Sequence, residues 1–345
     1  MGVCVEVLVD EADRRAALHE ATLRGLNDIP KQIPAIWLYD ERGSRLFDEI
    51  TRLPEYYLTR TEREILDERA PVIASETRAE TLVELGSGTS EKTRLLLDAL
   101  VDEGTLRRFI PLDVSEEVLI ASAHTIAEEY LGLEVHAVVG DFERHLSALP
   151  RGGRRLFAFL GSTIGGLQVA ARESFLHAVA TSLGADDALL LGLDLVKDPA
   201  RVEAAYSDSS GLSERFQRNG LANLDRELGS DFSRGRFEHH AVWAPEHEWV
   251  DIGFCSLAAQ LVHLPELGIE VAFDDGELLR TGVSSKFRRE RIEAELTAAR
   301  LELVRWWPAA NRDFAVCLAK RGSGSGSVTT NAMSPKGETQ RPISR

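Results

Sequence analysis

The chain is poor in the residues that build a disulfide scaffold or a zinc cluster. It has three cysteines in 345 residues, Cys4, Cys255 and Cys317, too widely spaced for either pattern. It has no uncharged apolar run of the ~18 residues that a membrane helix needs. The opening MGVCVEVLVDEADRR carries neither a basic leader nor a long apolar stretch, and Met1-Gly2 is not followed by the Ser/Thr of a myristoylation motif. Positive charge is scarce too: 40 Lys and Arg against 56 Asp and Glu leave a net charge of −16. Such a surface repels phosphate backbones and anionic lipid, so neither nucleic acid nor a membrane is expected as a partner. The expectation is a cytoplasmic globular protein, 43% hydrophobic and long enough for two domains.

What is there is a change of rhythm. Up to residue 60 the chain is mixed: a helical stretch over 14–26, a proline-broken DIPKQIPAIWLYD, and a short helix in RLFDEITRLPEYY that stops near Pro54. Residues 61–75 read as helix. From residue 81 strands (81–85, 108–113, 134–139, 155–160, 188–194) alternate with helices (92–102, 116–130, 170–184). Nearly continuous apolar strands separated by helices predict an α/β fold, a parallel sheet covered on both faces. Residues 197–286 interrupt that rhythm with helical and then strand-like segments. It resumes with the helix FRRERIEAELTAAR and strands near 301–306 and 313–319. From Gly322 the composition is that of a flexible tail.

Residues 81–100, TLVELGSGTSEKTRLLLDAL, read as strand, glycine turn and helix, which aims free backbone N–H groups at a ligand. The stretch GSGTSEKT misses the phosphate-loop pattern at Glu91, and the dinucleotide pattern lacks its third glycine at the same place. A carboxylate beside a phosphate is electrostatically wrong. S-adenosyl-L-methionine has no phosphate and carries a sulfonium cation, so an acidic turn suits it. On this reading Gly86 makes the turn and Lys92 serves the cofactor carboxylate. Asp113, ending the next strand, accepts the ribose hydroxyls. Asp141 takes the adenine amino group, and Phe142 gives an N–H or an apolar wall. The competing reading for both aspartates is helix capping.

The segments LPEYYLTRTE, TLVELGSGTSEKTRLLLDAL, RRFIPLDVS, VVGDFERHL, FLGSTIGGL, LLLGLDLVKD and VSSKFR occur in that order. Together they resemble the histidine-specific Nα-methyltransferase family of ergothioneine biosynthesis, over about Ile29 to Lys320. The resemblance implies a Rossmann-like methyltransferase domain, expected at 61–196 and 287–321. It also implies a second, inserted α+β substrate-binding domain, expected at 8–60 and 197–286, with the tail at 322–345. It implies a small amino-acid substrate and three successive methyl transfers to its α-amine; a monomer is expected. A fungal branch acts on tryptophan derivatives. Gly86, Lys92, Asp113, Asp141 and Phe142 carry over as cofactor positions, with Gly161 and Ser162 lining the gap toward substrate. Tyr56, Tyr206 and Ser284 match the substrate positions.

Three substrate positions depart from the family. Its asparagine is Gly166 here, its glutamate is Gly282, which in the family pairs with the imidazole together with the serine matched by Ser284, and its methionine is Ile252. Without the glutamate an imidazole N–H loses a charged acceptor, at roughly 1–3 kcal/mol, and the vacated volume suits a larger ring such as indole. The carboxylate anchor then falls to Tyr206, Gln168 or a water; the alternative is an amine acceptor with no carboxylate. Histidine itself, with rearranged contacts, is the competing acceptor, and a protein that binds S-adenosylmethionine without methylating is the competing class. Tyr56 and carbonyls near Gly161 are expected to orient the amine for in-line displacement. GSTIG resembles a nucleophile elbow with Thr163 in the nucleophile's place, so a close backbone approach to ligand is expected instead. His239, His240 and His247 lack metal-site spacing. Trp306-Trp307 reads as core, and Arg288, Arg289 and Arg291 as a solvated helix face.

Overall fold

The computed structural model describes residues 2–8 and 11–322; the tail expected beyond Gly322 lies outside the described residues. The chain begins with β1 (Cys4–Val7), α1 (Glu11–Gly25), β2 (Lys31–Gln32), α2 (Glu41–Ile50) and α3 (Tyr57–Thr77). Strands and helices then alternate: β3 (Thr81–Leu85), α4 (Thr93–Asp102), β4 (Arg108–Asp113), α5 (Glu116–Glu129), β5 (Glu134–Val139), β6 (Arg155–Phe159), α6 (Val169–Ser182) and β7 (Ala188–Asp194). After them come α7 (Pro199–Ala204), α8 (Leu212–Leu228), β8 (Phe237–Ala244), β9 (Trp249–Ser256), β10 (Gln260–Leu264), β11 (Ile269–Phe273) and β12 (Leu278–Ser285). The last elements are α9 (Arg289–Ala298), β13 (Leu301–Pro308) and β14 (Phe314–Arg321).

Eight strands form one sheet in the order β1-β5-β4-β3-β6-β7-β14-β13. Only β14 runs against the rest, pairing antiparallel with both β7 and β13. The central strands are buried along their whole length because alternate side chains enter two different cores. Leu82, Leu156 and Leu190 pack on the side of α3 and α4; Val83, Phe157 and Leu191 pack on the side of α6 and α9. Trp306 and Trp307 obey the same rule, one against each core. The strand β1, paired in parallel with β5, is not foreseen by the sequence pattern: CVEV is short and mostly exposed.

The chain order runs outward from β3 to β4 and β5, then returns to β6 on the other side. The ends of β3 and β6 therefore flank a crevice of the kind where α/β sheets bind ligands. A second sheet, β2-β12-β9-β8, stands beside that crevice. Its own core includes Leu26, Trp37, Leu224, Phe254 and Leu279. Trp37 is fixed through ring and backbone, its indole Nε1 donating to Thr22 Oγ1 (2.8 Å) and its backbone carbonyl accepting from Asn223 Nδ2 (2.7 Å).

The two sheets are joined along a seam. Leu195 bridges to Phe287, the Phe287 amide donates to the Asp194 carbonyl (2.8 Å), and Val196 donates back to Phe287 (3.1 Å). Beside it, Arg172 is buried against Glu295, the Leu167 carbonyl and Ser285. Among the described residues no helix is long and apolar enough to cross a membrane.

Candidate active site

The glycine turn has the backbone its sequence demands. Gly86 and Gly88 sit at φ +68° and +50°, a region that a side chain disfavours. Asp113, at the end of β4, accepts from the Gly88 amide and the Ser115 amide, both at 2.9 Å. Burial pushes its carboxyl upward against those amides. Each of its oxygens keeps a lone pair for a further donor. Ser87 Oγ is buried and has no hydrogen-bond partner among the described residues. Phe142 closes the side wall: its ring meets Phe159 edge-on at 5.0 Å, and a Cβ on Gly86 would stand 4.0 Å from it. Asp141 accepts from the Glu143 amide at 2.8 Å, so both the capping and the ligand readings of that residue remain open to it.

This end fits S-adenosylmethionine better than a nucleotide phosphate. Glu91 is largely exposed. Lys92, the cation of the turn, is bound by the fully buried Glu62 of α3. A carboxylate acceptor, an orphaned hydroxyl and an aromatic wall remain, with no spare positive charge for a phosphate.

Glu84, on β3 beneath the turn, accepts from Ser90 Oγ (2.8 Å) and from Thr93 Oγ1. Burial raises its pKa to about 7 in spite of those hydroxyls and Lys92. The folded protein therefore binds a proton at Glu84 that the unfolded chain releases near pH 4.5. Stability must fall as pH rises from there to about 7, by up to ~3 kcal/mol from this group. Denaturant midpoints of the ligand-free protein across pH 4.5–8 are expected to fall more steeply for wild type than for Glu84→Gln. Parallel curves would show that Glu84 titrates normally.

Glu62 links the two halves of the site. Besides Lys92 it accepts from the Gly161 amide with both oxygens (2.8 and 2.9 Å). Gly161 lies at φ +73°, with Lys92 Nζ 3.5 Å from where its Cβ would be. The next residue, Ser162, accepts from the Asp194 amide at 3.0 Å. Within GSTIG the backbone also comes close to the second sheet. A Cβ on Gly165 would stand 2.8 Å from the Ser285 carbonyl oxygen.

At the other end, Tyr206 Oη and Ser284 Oγ are 2.6 Å apart. The Tyr56 ring meets Tyr206 edge-on at 6.3 Å, and burial, then the neighbouring phenols Tyr206 and Tyr39, hold the Tyr56 phenol neutral far above its usual range. Behind Tyr56 the rings of Phe47, Tyr39 and Phe216 continue the wall. Gly282 pairs with Ile252 across β12 and β9, just past a bulge, so both share a face with Ser284 and Val250. Val202, Val250, Ile252, Tyr206 and Trp243 cluster there. Nothing stands within 4 Å of a Cβ on Gly282; one on Gly166 would first meet the Val283 carbonyl, at 4.0 Å. Gln168 is already committed, donating to Gln32 at 3.0 Å.

Local contacts tie the sequence-expected residues into groups: Gly86 beside Phe142 with Asp113 bonded to the same turn, Lys92 and Gly161 through Glu62, Ser162 through Asp194, and Tyr56, Tyr206 and Ser284 in turn, with Gly282 and Ile252 on the strand face of Ser284. Sequence reasoning missed the charges between them. Glu62, Asp194, Lys197 and Lys286 all lie in or beside the quoted family segments; an acid on the apolar face of α3 and one ending a wholly apolar strand were the available signals. The histidines stand apart: His247 stacks on Trp249 at 4.3 Å, and no group of three possible metal ligands occurs among the described residues.

A family model described as "Histidine-specific methyltransferase, SAM-dependent" matches residues 18–321. The chain is 50% identical over 321 residues to a histidine N-alpha-methyltransferase of Mycobacterium tuberculosis (strain CDC 1551 / Oshkosh), covering 93% of this chain and 100% of that protein. It is 50% identical over 305 residues to the protein of the same name from Mycolicibacterium smegmatis, covering 88% and 95%. A more distant relative, 27% identical over 325 residues with 84% and 88% covered, is a 4-dimethylallyltryptophan N-methyltransferase of Claviceps fusiformis. With a match across nearly all of its fold, this chain belongs to the histidine-specific methyltransferase family and is an N-methyltransferase that uses S-adenosylmethionine.

Proposed function

We propose that the methyl acceptor is an α-amino acid with an aromatic ring larger than imidazole, tryptophan being the leading case, methylated successively at its α-amine toward a betaine. The observation that carries this is the open space over Gly282, facing Ile252 on an apolar surface. The family resemblance implies a glutamate there for the imidazole. Removing it leaves an imidazole N–H unmatched and leaves room for an indole. That a relative is named for an indole amino acid agrees with this reading. The competing acceptor is L-histidine, favoured by the 50% identity to histidine enzymes.

Bound S-adenosylmethionine supplies an electrophilic methyl whose leaving sulfur becomes neutral. The chain's part is then to orient and dehydrate. Asp113 would hold the cofactor's hydroxyls and Phe142 would wall its adenine ring. Tyr56, kept neutral, and the backbone around Gly161 line up the amine. Desolvation between Tyr56 and the aromatic wall favours loss of the ammonium proton, so no strong base is required. The missing side chain at Gly161 leaves room for an amine that grows with each transfer.

Mass spectrometry of purified enzyme with S-adenosylmethionine and single amino acids tests the acceptor. Methylated tryptophan is expected to form with kcat/KM roughly 10- to 100-fold above histidine. Faster methylation of histidine overturns the reading in favour of its competitor.

A further inference from the structure

The cofactor turn has no positive charge to spare, but the opposite end of the main sheet does. There the segment 151–155, the segment 181–187 ahead of β7 and Arg321 at the end of β14 border a cavity of about 640 Å³. Four arginines line it: Arg151, Arg154, Arg155 and Arg321. Three of them come from one run, PRGGRR, which the methyl-transfer site does not use. The glycines between them are required. Gly152 and Gly153 lie at φ +128° and +64°, and a Cβ on Gly153 would stand 2.4 Å from Glu80 Oε2.

Three carboxylates line the same cavity, and two are already answered. Asp187 accepts from Arg155 Nε at 2.9 Å and Nη2 at 2.7 Å, and from the Arg155 and Gly184 amides. Glu80 pairs with Arg154 Nη2 at 3.2 Å. The exposed Asp186 is left against Arg151 and Arg321, so four guanidiniums outnumber three carboxylates by one. In a chain of net charge −16 this is a local reversal of sign. Donors are left over as well. Arg155 is only 5% exposed, yet its Nη1 makes no hydrogen bond among the described residues; its bonds come from the amide, Nε and Nη2. A guanidinium edge held in place without an acceptor is costly until one arrives. Arg321 spends only Nη1, on the Leu183 carbonyl at 3.2 Å.

We infer that this cavity is a binding site for the phosphate group of a small polar molecule. A phosphate offers acceptor oxygens in several directions, which suits donors arriving from separate segments of chain. A carboxylate is filled by one guanidinium fork, as Asp187 is by Arg155. No aromatic ring lines the cavity, so the rest of the ligand is not a base held by stacking. The site stands at the amino ends of β3 and β6, whereas Gly86 and Gly161 follow their carboxyl ends. It is therefore separate from the cofactor and acceptor positions, and it holds whichever acceptor the enzyme methylates.

Titration calorimetry with inorganic pyrophosphate tests it, at low salt and on enzyme saturated with S-adenosylhomocysteine so that the crevice is filled. One saturable site is expected, with Kd of roughly 0.1–1 mM. Arg151→Glu is expected to weaken it by roughly 10-fold or more. Arg289→Glu makes the same change of charge at the exposed start of α9 and is expected to shift Kd by less than roughly twofold. Arg151 and Arg289 are both exposed, so neither change threatens the fold. Absence of saturable binding to wild type overturns the inference. So does binding that Arg151→Glu leaves unchanged, or that both variants weaken equally. Glycerol 3-phosphate and inorganic phosphate, titrated in the same way, separate the sources: tighter binding of the ester supports a phosphorylated metabolite, and tighter binding of the ion supports free phosphate at the same site.

Discussion

Replacing Gly192 with alanine is expected to remove nearly all turnover, although Gly192 lies mid-strand in β7 and faces no ligand. A Cβ there would stand 1.8 Å from Glu62 Oε1. The strand is held on both sides by its ladders with β6 and β14, so the glutamate must move. Moving it strands two groups together: Lys92 loses its counter-ion, and the Gly161 amide loses its acceptor. Breaking a buried pair in this way costs about 3–5 kcal/mol of stability. The lost hold on the backbone between cofactor and acceptor is expected to lower kcat by roughly 100-fold or more, since sub-ångström misplacement is enough for that. Glu62→Ala should do similar damage, and the two changes together should fall well short of additive because they remove one contact. Denaturant unfolding and single-turnover rates on the three variants check this. A Gly192→Ala enzyme with normal stability and rate would mean that Glu62 does not lie beneath β7.

The second large effect is a change of acceptor. Gly166→Asn together with Gly282→Glu is expected to raise the ratio of histidine to tryptophan turnover by roughly 100-fold. Neither glycine has a positive φ, and neither new Cβ comes closer than 4.0 Å to the atoms around it, so both side chains enter without strain. A carboxylate at 282 would stand on the same face as Ser284, giving an imidazole N–H its charged acceptor and filling the space an indole needs. Paired kcat/KM measurements for the two amino acids decide the matter. A flat ratio in a folded double variant would show that these positions do not select the ring.

Much of this was legible in the sequence, for physical reasons that differ along the chain. The strands from Thr81 to Asp194 fall within a residue of expectation because a strand buried on both faces must be an unbroken apolar run with turn residues at its ends. Gly86, Asp113 and Asp141 were singled out for the same reason: each stands at or just past the carboxyl end of a strand, where α/β sheets bind ligands. β1 left no such mark, being four residues long with only one face of the sheet edge to cover. The charged chain from Lys92 to Lys286 was not legible. Glu62 and Lys92 are thirty residues apart, and Asp194 and Lys286 ninety-two, and periodicity says nothing about which buried charge meets which. The closeness of Gly165 to β12 was not legible either, because a glycine in a turn does not say which backbone it meets.

The seam between the sheets has a consequence for how such a protein diverges. The joint is built from mutually dependent parts: Asp194 answers two lysines, Arg172 answers a glutamate, a carbonyl and a hydroxyl, and Gly165 admits no side chain at all. A substitution at any of these positions is expected to lower stability. The acceptor face is the opposite case, with two glycines in open space and apolar neighbours that tolerate exchange. Mutation in this lineage is therefore expected to explore new acceptors one residue at a time while the joint is kept, so that descendants share a frame long after they have ceased to share a substrate.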